Sequence, residues 1–239
     1  MNRTKIEWCT HSWNPMTGCT KGCPYCYARK ITERFLQKYP FGFDPCFYPD
    51  RCAEAMPTKP ARIFTVSMGD FWNPSFTGKE RGSVLYRMHS FPQHRFLILT
   101  KFPENIAECS NTGSIKFPEN LWLGVTVDRR GTEYRIKELI DRTVGTKAHR
   151  FVSFEPILDY LDLGSFTMDG PEWVIIGSQT NPTLLPAWET VEGLIDKCNI
   201  WSIPYFVKNN MRPLFARGSF YHINFRQDYP KDLQIGEAP

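Results

Sequence analysis

The sequence predicts an α/β fold: a parallel (β/α) barrel, partial, of about six or seven strands, with an irregular C-terminal cover. Three observations predict it. Short apolar, β-branched runs recur along the 239 residues, polar stretches with helical spacing separate them, and most runs finish on a polar or charged residue. The runs are 63–67, 96–100, 121–127, 150–154, 173–177 and 203–207. Their nearly unbroken apolarity is that of strands buried on both faces in a parallel sheet. A further strand around residues 5–13 leads into a cysteine-rich loop.

Between the runs, helix-spaced apolar residues fall at Ala28, Ile31, Phe35 and Tyr39, at Tyr134, Ile136, Leu139 and Ile140, and at Trp188, Val191, Leu194 and Ile195. This alternation reads as successive βαβ units. A flat doubly wound sheet is the competing architecture, but no glycine-rich phosphate loop follows any strand. Residues 41–60 read as a long connection. The expectation is one barrel domain over 1–239, with 209–239 as its cover.

At 41 % hydrophobic and 15 % aromatic residues, the chain can bury one large core. A net charge of +4 tolerates an anionic partner without demonstrating one. The first residues have no apolar signal region and no stretch nears 18 apolar residues, so a soluble, cytoplasmic protein with no membrane partner is expected. Eight cysteines in a reducing compartment point to metal or redox chemistry over disulfides.

Chemistry concentrates at two places. Residues 18–29 read GCTKGCPYCYAR, with Cys19, Cys23 and Cys26 in C-x3-C-x2-C spacing where the first strand meets the first helix. Thiolates at this density hold zinc or an iron–sulfur cluster. Zinc would close its tetrahedron with a fourth protein ligand, for which Cys9 or His11 is available. A cluster held by three thiolates leaves one iron open to a small molecule. The second place is the set of strand ends: Asp70, Lys101, Asp128, Glu155, Gln179 and Lys208. In α/β barrels the active site is built on that rim. Cys46 and Cys52 could approach an auxiliary cluster, and Cys109 and Cys198 read as buried hydrophobes.

The cysteine loop, with Tyr25 just before the third thiol, resembles the radical S-adenosylmethionine superfamily. Over roughly residues 4–210 the chain is most similar to a phage-associated branch of it. The matching segments are Trp13-Asn14-Pro15, Thr17-Gly18-Cys19, Ser67-Met68-Gly69-Asp70, Leu99-Thr100-Lys101, Phe154-Glu155-Pro156 and Val207-Lys208. The resemblance implies that Cys19, Cys23 and Cys26 hold three irons of a [4Fe–4S] cluster. S-adenosylmethionine would chelate the fourth iron and be cleaved reductively to a 5′-deoxyadenosyl radical that abstracts hydrogen from a substrate. The cofactor does that chemistry and the protein orients it.

It further implies that Tyr25 sits beside the adenine. Ser67, Gly69 and Asp70 would stand where the superfamily offers a Gly-Gly-Glu-like segment to the methionine amino group, a partial match. Thr126, Glu155, Gly177 and Gln179 would reach ribose and adenine. Lys101 and Lys208 would face a cofactor carboxylate or an anionic substrate group. A reductant such as flavodoxin or ferredoxin is the expected partner. With no leader-peptide-binding extension read at either end, peptide maturation is disfavoured. A nucleotide or nucleic acid is the expected substrate class, comparable in kind to spore photoproduct lyase. The competing readings are a non-catalytic, zinc-stabilised binding protein and a degenerate barrel that keeps the cluster.

Overall fold

The computed structural model describes residues 1–107, 116–162, 164, 170–216 and 224–235. They gather into two compact units, one built mainly from residues 1–123 and 142–149, the other from 124–141 and 150–234.

The first unit runs through β1 (Asn2–Arg3), β2 (His11–Trp13), β3 (Met16–Thr17), α1 (Tyr27–Arg34), β4 (Cys46–Phe47), α2 (Pro49–Cys52), β5 (Arg62–Thr65), α3 (Gly78–His89), β6 (Arg95–Thr100) and the first half of β7 (Leu121–Thr126). The strand order is β1-β2-β5-β6-β7. β1 is antiparallel to β2, whereas β2, β5 and β6 are parallel, with Ser12 opposite Phe64 and Phe64 opposite Leu97. Trp13, Ile63, Phe96 and Leu97 are fully buried, as expected of strands covered on both faces.

The second unit takes the rest of β7, then α4 (Tyr134–Thr143), β8 (His149–Phe154), β9 (Trp173–Ile176), α5 (Trp188–Ile200), β10 (Tyr205–Val207) and α6 (Arg212–Ala216). Its order is β7-β8-β9-β10, with β8, β9 and β10 parallel. Every residue of β9 and β10 is buried. The α/β class and the mostly parallel strands agree with the sequence. The strand order stops at β1 and β10 without closing, so a partial barrel is compatible with it and a complete one is not.

Several elements depart from expectation. α1 stops at Arg34, so Ile31 and Phe35 are exposed while Ala28 and Tyr39 are buried. Periodicity had placed all four on one face. Residues 41–60 are not a bare connection: β4 pairs antiparallel with β3, Met16 opposite Phe47, and α2 follows at once. The C-terminal cover is partly regular. Gln227 bridges to Phe206, and the Val207 N–H donates to the Arg226 carbonyl, which satisfies the outer edge of β10. Residues 217–223 and 236–239 of that cover lie outside the described residues, as does Cys109. No helix among the described residues is long and apolar enough to cross a membrane.

Candidate functional site

The cysteine loop joins β3 to α1, and local chemistry fixes both ends. Gly18, at φ +86°, turns the chain out of β3 in the left-handed region that glycine enters without steric cost. Cys26 is the N-cap of α1 but spends no side-chain hydrogen bond on capping, so its thiol stays available next to the positive end of the helix. Cys19 and Cys26 both pack against a small apolar cluster of Ala28, Tyr39, Phe43 and Met68. Cys23 is half-buried like its two neighbours, and none of the three forms a disulfide.

A second loop lies directly on the first. Leaving β5, Val66 adopts φ 62°, a strained conformation for a β-branched residue, held by its N–H to the Trp13 carbonyl at 2.8 Å. The following Ser67-Met68-Gly69-Asp70 then runs against Gly18. The Gly18 N–H donates to the Met68 carbonyl at 2.9 Å, and the Asp70 N–H donates to the Gly18 carbonyl at 3.3 Å. A Cβ on Gly69 would sit 2.6 Å from the Gly18 oxygen, so only glycine permits the approach. The Tyr27 hydroxyl also donates to the Ser67 carbonyl.

Asp70 ties this loop to the end of β6. Its carboxylate accepts from the Thr100 hydroxyl at 2.6 Å, the Lys101 N–H at 2.8 Å and the Trp72 N–H at 3.1 Å. Burial nevertheless pushes its pKa above the ordinary carboxylate value, with these donors opposing the shift. The Lys101 ammonium in turn lies 5.5 Å from the centre of the Tyr25 ring. Tyr25, Ser67, Gly69, Asp70 and Lys101, separated by up to 76 positions in sequence, therefore converge on the cysteine loop within the first unit.

The donor set fits an iron–sulfur cluster. It offers three thiols on one loop, two of them seated on apolar side chains, with a backbone N–H from Lys21 directed at the Cys19 sulfur at 3.4 Å. Burial, then the nearby Asp70 charge, pushes the Cys19 thiol up to about 11, so loading a metal must displace its proton. The fourth ligands proposed for zinc are engaged elsewhere. Cys9 is buried with its thiol towards the Ile6 carbonyl, and His11 bonds the Thr10 hydroxyl at 3.0 Å. Among the described residues, no three His, Cys, Asp or Glu side chains are grouped to hold a single metal ion. Cys46 lies on β4 and Cys52 in α2.

The other candidates belong to the second unit. Lys208, just after β10, forms an ion pair with Glu155, just after β8. Gly177, after β9, lies under both: a Cβ there would meet Lys208 Cδ at 3.0 Å and Glu155 Cγ at 3.1 Å. Asn210 clasps Ser178 through two side-chain contacts, accepting from its N–H at 3.3 Å and donating to its carbonyl at 2.9 Å. Gln179 donates to the Pro182 carbonyl at 3.2 Å. Thr126 is buried, with its carbonyl accepting from Arg135 at 2.7 Å. Arg135 also faces Asp128 at 3.4 Å, which assigns that rim carboxylate a buried structural partner.

Two side chains that tie these loops together had no role assigned from the sequence: Asn14, noted only within the Trp13-Asn14-Pro15 segment, and Asn73. Asn14 Oδ1 accepts from the Met68 N–H at 2.8 Å and the Ser67 hydroxyl at 3.2 Å. Asn73 Nδ2 donates to Thr20 in the cysteine loop at 3.0 Å. The available signal was a repeated tripeptide, Trp-Asn-Pro, at 13–15 and again at 72–74.

Residues 3–213 match a family described as "Protein of unknown function (DUF5131)". The chain belongs to that family. The DUF5131 match takes in the cysteine loop, the loop laid against it and Lys208. No curated protein matches the chain significantly. Among solved structures, the fold is similar to that of spore photoproduct lyase. A cysteine-to-alanine variant of that enzyme with dinucleoside spore photoproduct aligns with a TM-score of 0.52 at 12 % identity, over 87 % of this chain and 79 % of the other. A second spore photoproduct lyase complexed with the same dinucleoside gives 0.49 at 10 % identity, with the same coverage. At these identities the likeness is one of fold.

Proposed function

We propose that this protein is a radical S-adenosylmethionine enzyme acting on a nucleotide or nucleic-acid substrate. The observation that carries the reading is the convergence of the three-thiol loop with the Ser67–Asp70 segment and Lys101 in one unit. The superfamily pattern asks those segments to meet, and nothing local in the sequence forces them to. The fold likeness to spore photoproduct lyase supports the same class, and its dinucleoside ligand supports the substrate class.

When bound, a reduced [4Fe–4S] cluster supplies the electron that splits S-adenosylmethionine and frees a hydrogen-abstracting radical. The chain's own residues hold and shelter that chemistry. Cys19, Cys23 and Cys26 ligate the cluster. Ala28, Tyr39, Phe43 and Met68 keep water from two of the thiolates. Backbone carbonyls of the Ser67–Asp70 loop, each with a second lone pair, receive the cofactor ammonium. The Lys101 ammonium, beside Tyr25, receives the carboxylate. In the second unit, the Lys208–Glu155 ion pair over Gly177 makes a charged binding feature of its own.

The electron must come from outside the chain. Residues 20–39 carry Lys21, Arg29, Lys30, Arg34 and Lys38 against Glu33 alone, an excess equal to the +4 of the whole sequence. An acidic carrier such as flavodoxin or ferredoxin meets complementary charge there.

Anaerobic reconstitution with iron and sulfide, followed by Mössbauer spectroscopy, tests the reading. A [4Fe–4S] signature whose reduced-state EPR changes on adding S-adenosylmethionine supports it. A colourless chain that retains stoichiometric zinc and takes up no iron overturns it in favour of a zinc-stabilised binding protein.

A further inference from the structure

Hydrogen bonds strap the ends of β8, β9 and β10 together within the second unit. Gly177 donates its N–H to the Phe154 carbonyl at 3.0 Å and accepts from the Ile157 N–H at 3.2 Å, so Glu155 is held between two bonds. Lys208 donates its N–H to the Ile176 carbonyl at 2.9 Å. Two residues on, the Asn210 amide clasps Ser178, whose hydroxyl donates back to the Asn210 carbonyl at 3.2 Å. The backbone under both charges is therefore fixed, and the two side chains meet over the bare Cα of Gly177.

What the pair leaves unused points to a ligand. The Lys208 and Glu155 side chains are only 15 and 25 % exposed. An ion pair held so far out of water recovers little of its desolvation cost by itself. Among the described residues, the bond between them is the one side-chain hydrogen bond that either makes. An ammonium has three donors and a carboxylate about four lone-pair sites, so two donors and about three acceptor sites stand side by side on a fixed frame. Lys208 can add only an acceptor, and Glu155 can add only a donor. A nucleotide meets both demands, with a phosphate and sugar hydroxyls a few bonds apart. A carboxylate accepting from a ribose hydroxyl is also how dinucleotide-binding folds hold their sugar.

We propose that Lys208 and Glu155 form a nucleotide subsite in which Lys208 binds the phosphate and Glu155 accepts from a free sugar hydroxyl. The inference rests on the nucleotide-substrate reading given above and deepens it. Glu155 is the specificity-determining member. Towards a bare phosphate it is an internal competitor, because it already neutralises Lys208 and repels the incoming charge. Towards a phosphate with a hydroxyl beside it, it offers a second bond that offsets the loosened ion pair. Internal phosphodiesters of DNA lack that hydroxyl, so the subsite favours a free mononucleotide or a strand end over an uninterrupted strand.

The test is isothermal titration calorimetry of the full chain with uridine 5′-monophosphate, its 2′,3′-dideoxy analogue, uridine and inorganic phosphate. The uracil base keeps these probes distinct from the adenosine of the cofactor. Uridine 5′-monophosphate should bind about tenfold or more tighter than each of the other three. Equal binding of the dideoxy analogue overturns the hydroxyl contact, equal binding of uridine overturns the phosphate contact, and no heat at millimolar nucleotide overturns the subsite. In 1H–15N spectra the Gly177 and Lys208 amides should shift on adding the nucleotide; heat without those shifts places it elsewhere and overturns the assignment. Glu155→Gln should bind inorganic phosphate more tightly and lose the preference for the hydroxyl, and unchanged or weaker phosphate binding overturns the competitor role. Lys208→Met should bind the nucleotide no better than uridine, and retained preference for the phosphate overturns the role of Lys208. If that variant does not fold, the wild-type series and Glu155→Gln still decide. A loaded cluster that cleaves S-adenosylmethionine in a chain that binds no nucleotide sinks the subsite alone. Nucleotide binding here by a chain that assembles no cluster sinks the radical-enzyme reading and keeps the subsite.

Discussion

Gly18 and Gly69 are the residues on which the site's geometry turns. A Cβ on Gly18 would lie 2.2 Å from the Asp44 carbonyl oxygen, and its φ of +86° suits glycine alone. Gly18→Ala should therefore cost more than the roughly 1–3 kcal/mol of a single strained residue, seen in urea denaturation of the metal-free chain, and iron uptake should fall with it. The cysteines separate in the opposite sense. Ser at Cys19, Cys23 or Cys26 should remove most of the iron. Ser at Cys198, which is fully buried in α5 with its thiol pushed up to about 12, should cost about 1–3 kcal/mol by burying a hydroxyl, yet leave iron content unchanged. Equal iron loss from all four variants contradicts the ligand assignment. Asp70, expected from the sequence as a cofactor ligand, has three protein donors on its carboxylate. Asp70→Ala strands them in the interior at roughly 1–3 kcal/mol each, so its thermal midpoint should drop well below that of Lys101→Ala.

At the scale of elements, what was legible followed burial. Runs such as Trp173–Ile176 and Leu121–Thr126 are buried at every position because both faces are covered, and a two-sided core leaves a nearly unbroken apolar trace. The β3–β4 pair left almost none, being two residues long on each strand. α1 was found but its face was misjudged. The helix ends after eight residues, and Tyr39 reaches the apolar cluster from the turn beyond it, so helical spacing stopped applying at Phe35. α3 was not singled out, although its start is written in a complete capping box of Thr77 and Glu80. Thr77→Ala should cost about 1 kcal/mol in denaturant titrations without altering iron content. Of the site, the thiols were legible because their spacing is local. The contacts of Asn14 and Asn73 were not, because each acts on a loop more than 50 residues away.

For the whole molecule, the uneven placement of charge carries a consequence of its own. The excess of +4 sits on residues 20–39, where Tyr27, Ile31 and Phe35 are also exposed, at 48, 37 and 50 %. Association with an acidic electron carrier should weaken steeply with ionic strength. Combined Arg34→Glu and Lys38→Glu substitutions should slow reduction by flavodoxin about tenfold or more, while dithionite reduces both proteins equally. A salt-independent rate, or no effect of charge reversal, places the donor elsewhere. The central claim concerns what the reduced protein does to its cofactor. Wild-type and Cys23→Ser proteins, both anaerobically reconstituted and reduced with dithionite, are incubated with S-adenosylmethionine, and 5′-deoxyadenosine and methionine are quantified by chromatography. The wild type should release the two in equal amounts, slowly on its own and faster with the right oligonucleotide, and Cys23→Ser should release neither. A fully loaded, reduced cluster that leaves S-adenosylmethionine intact would contradict the claim.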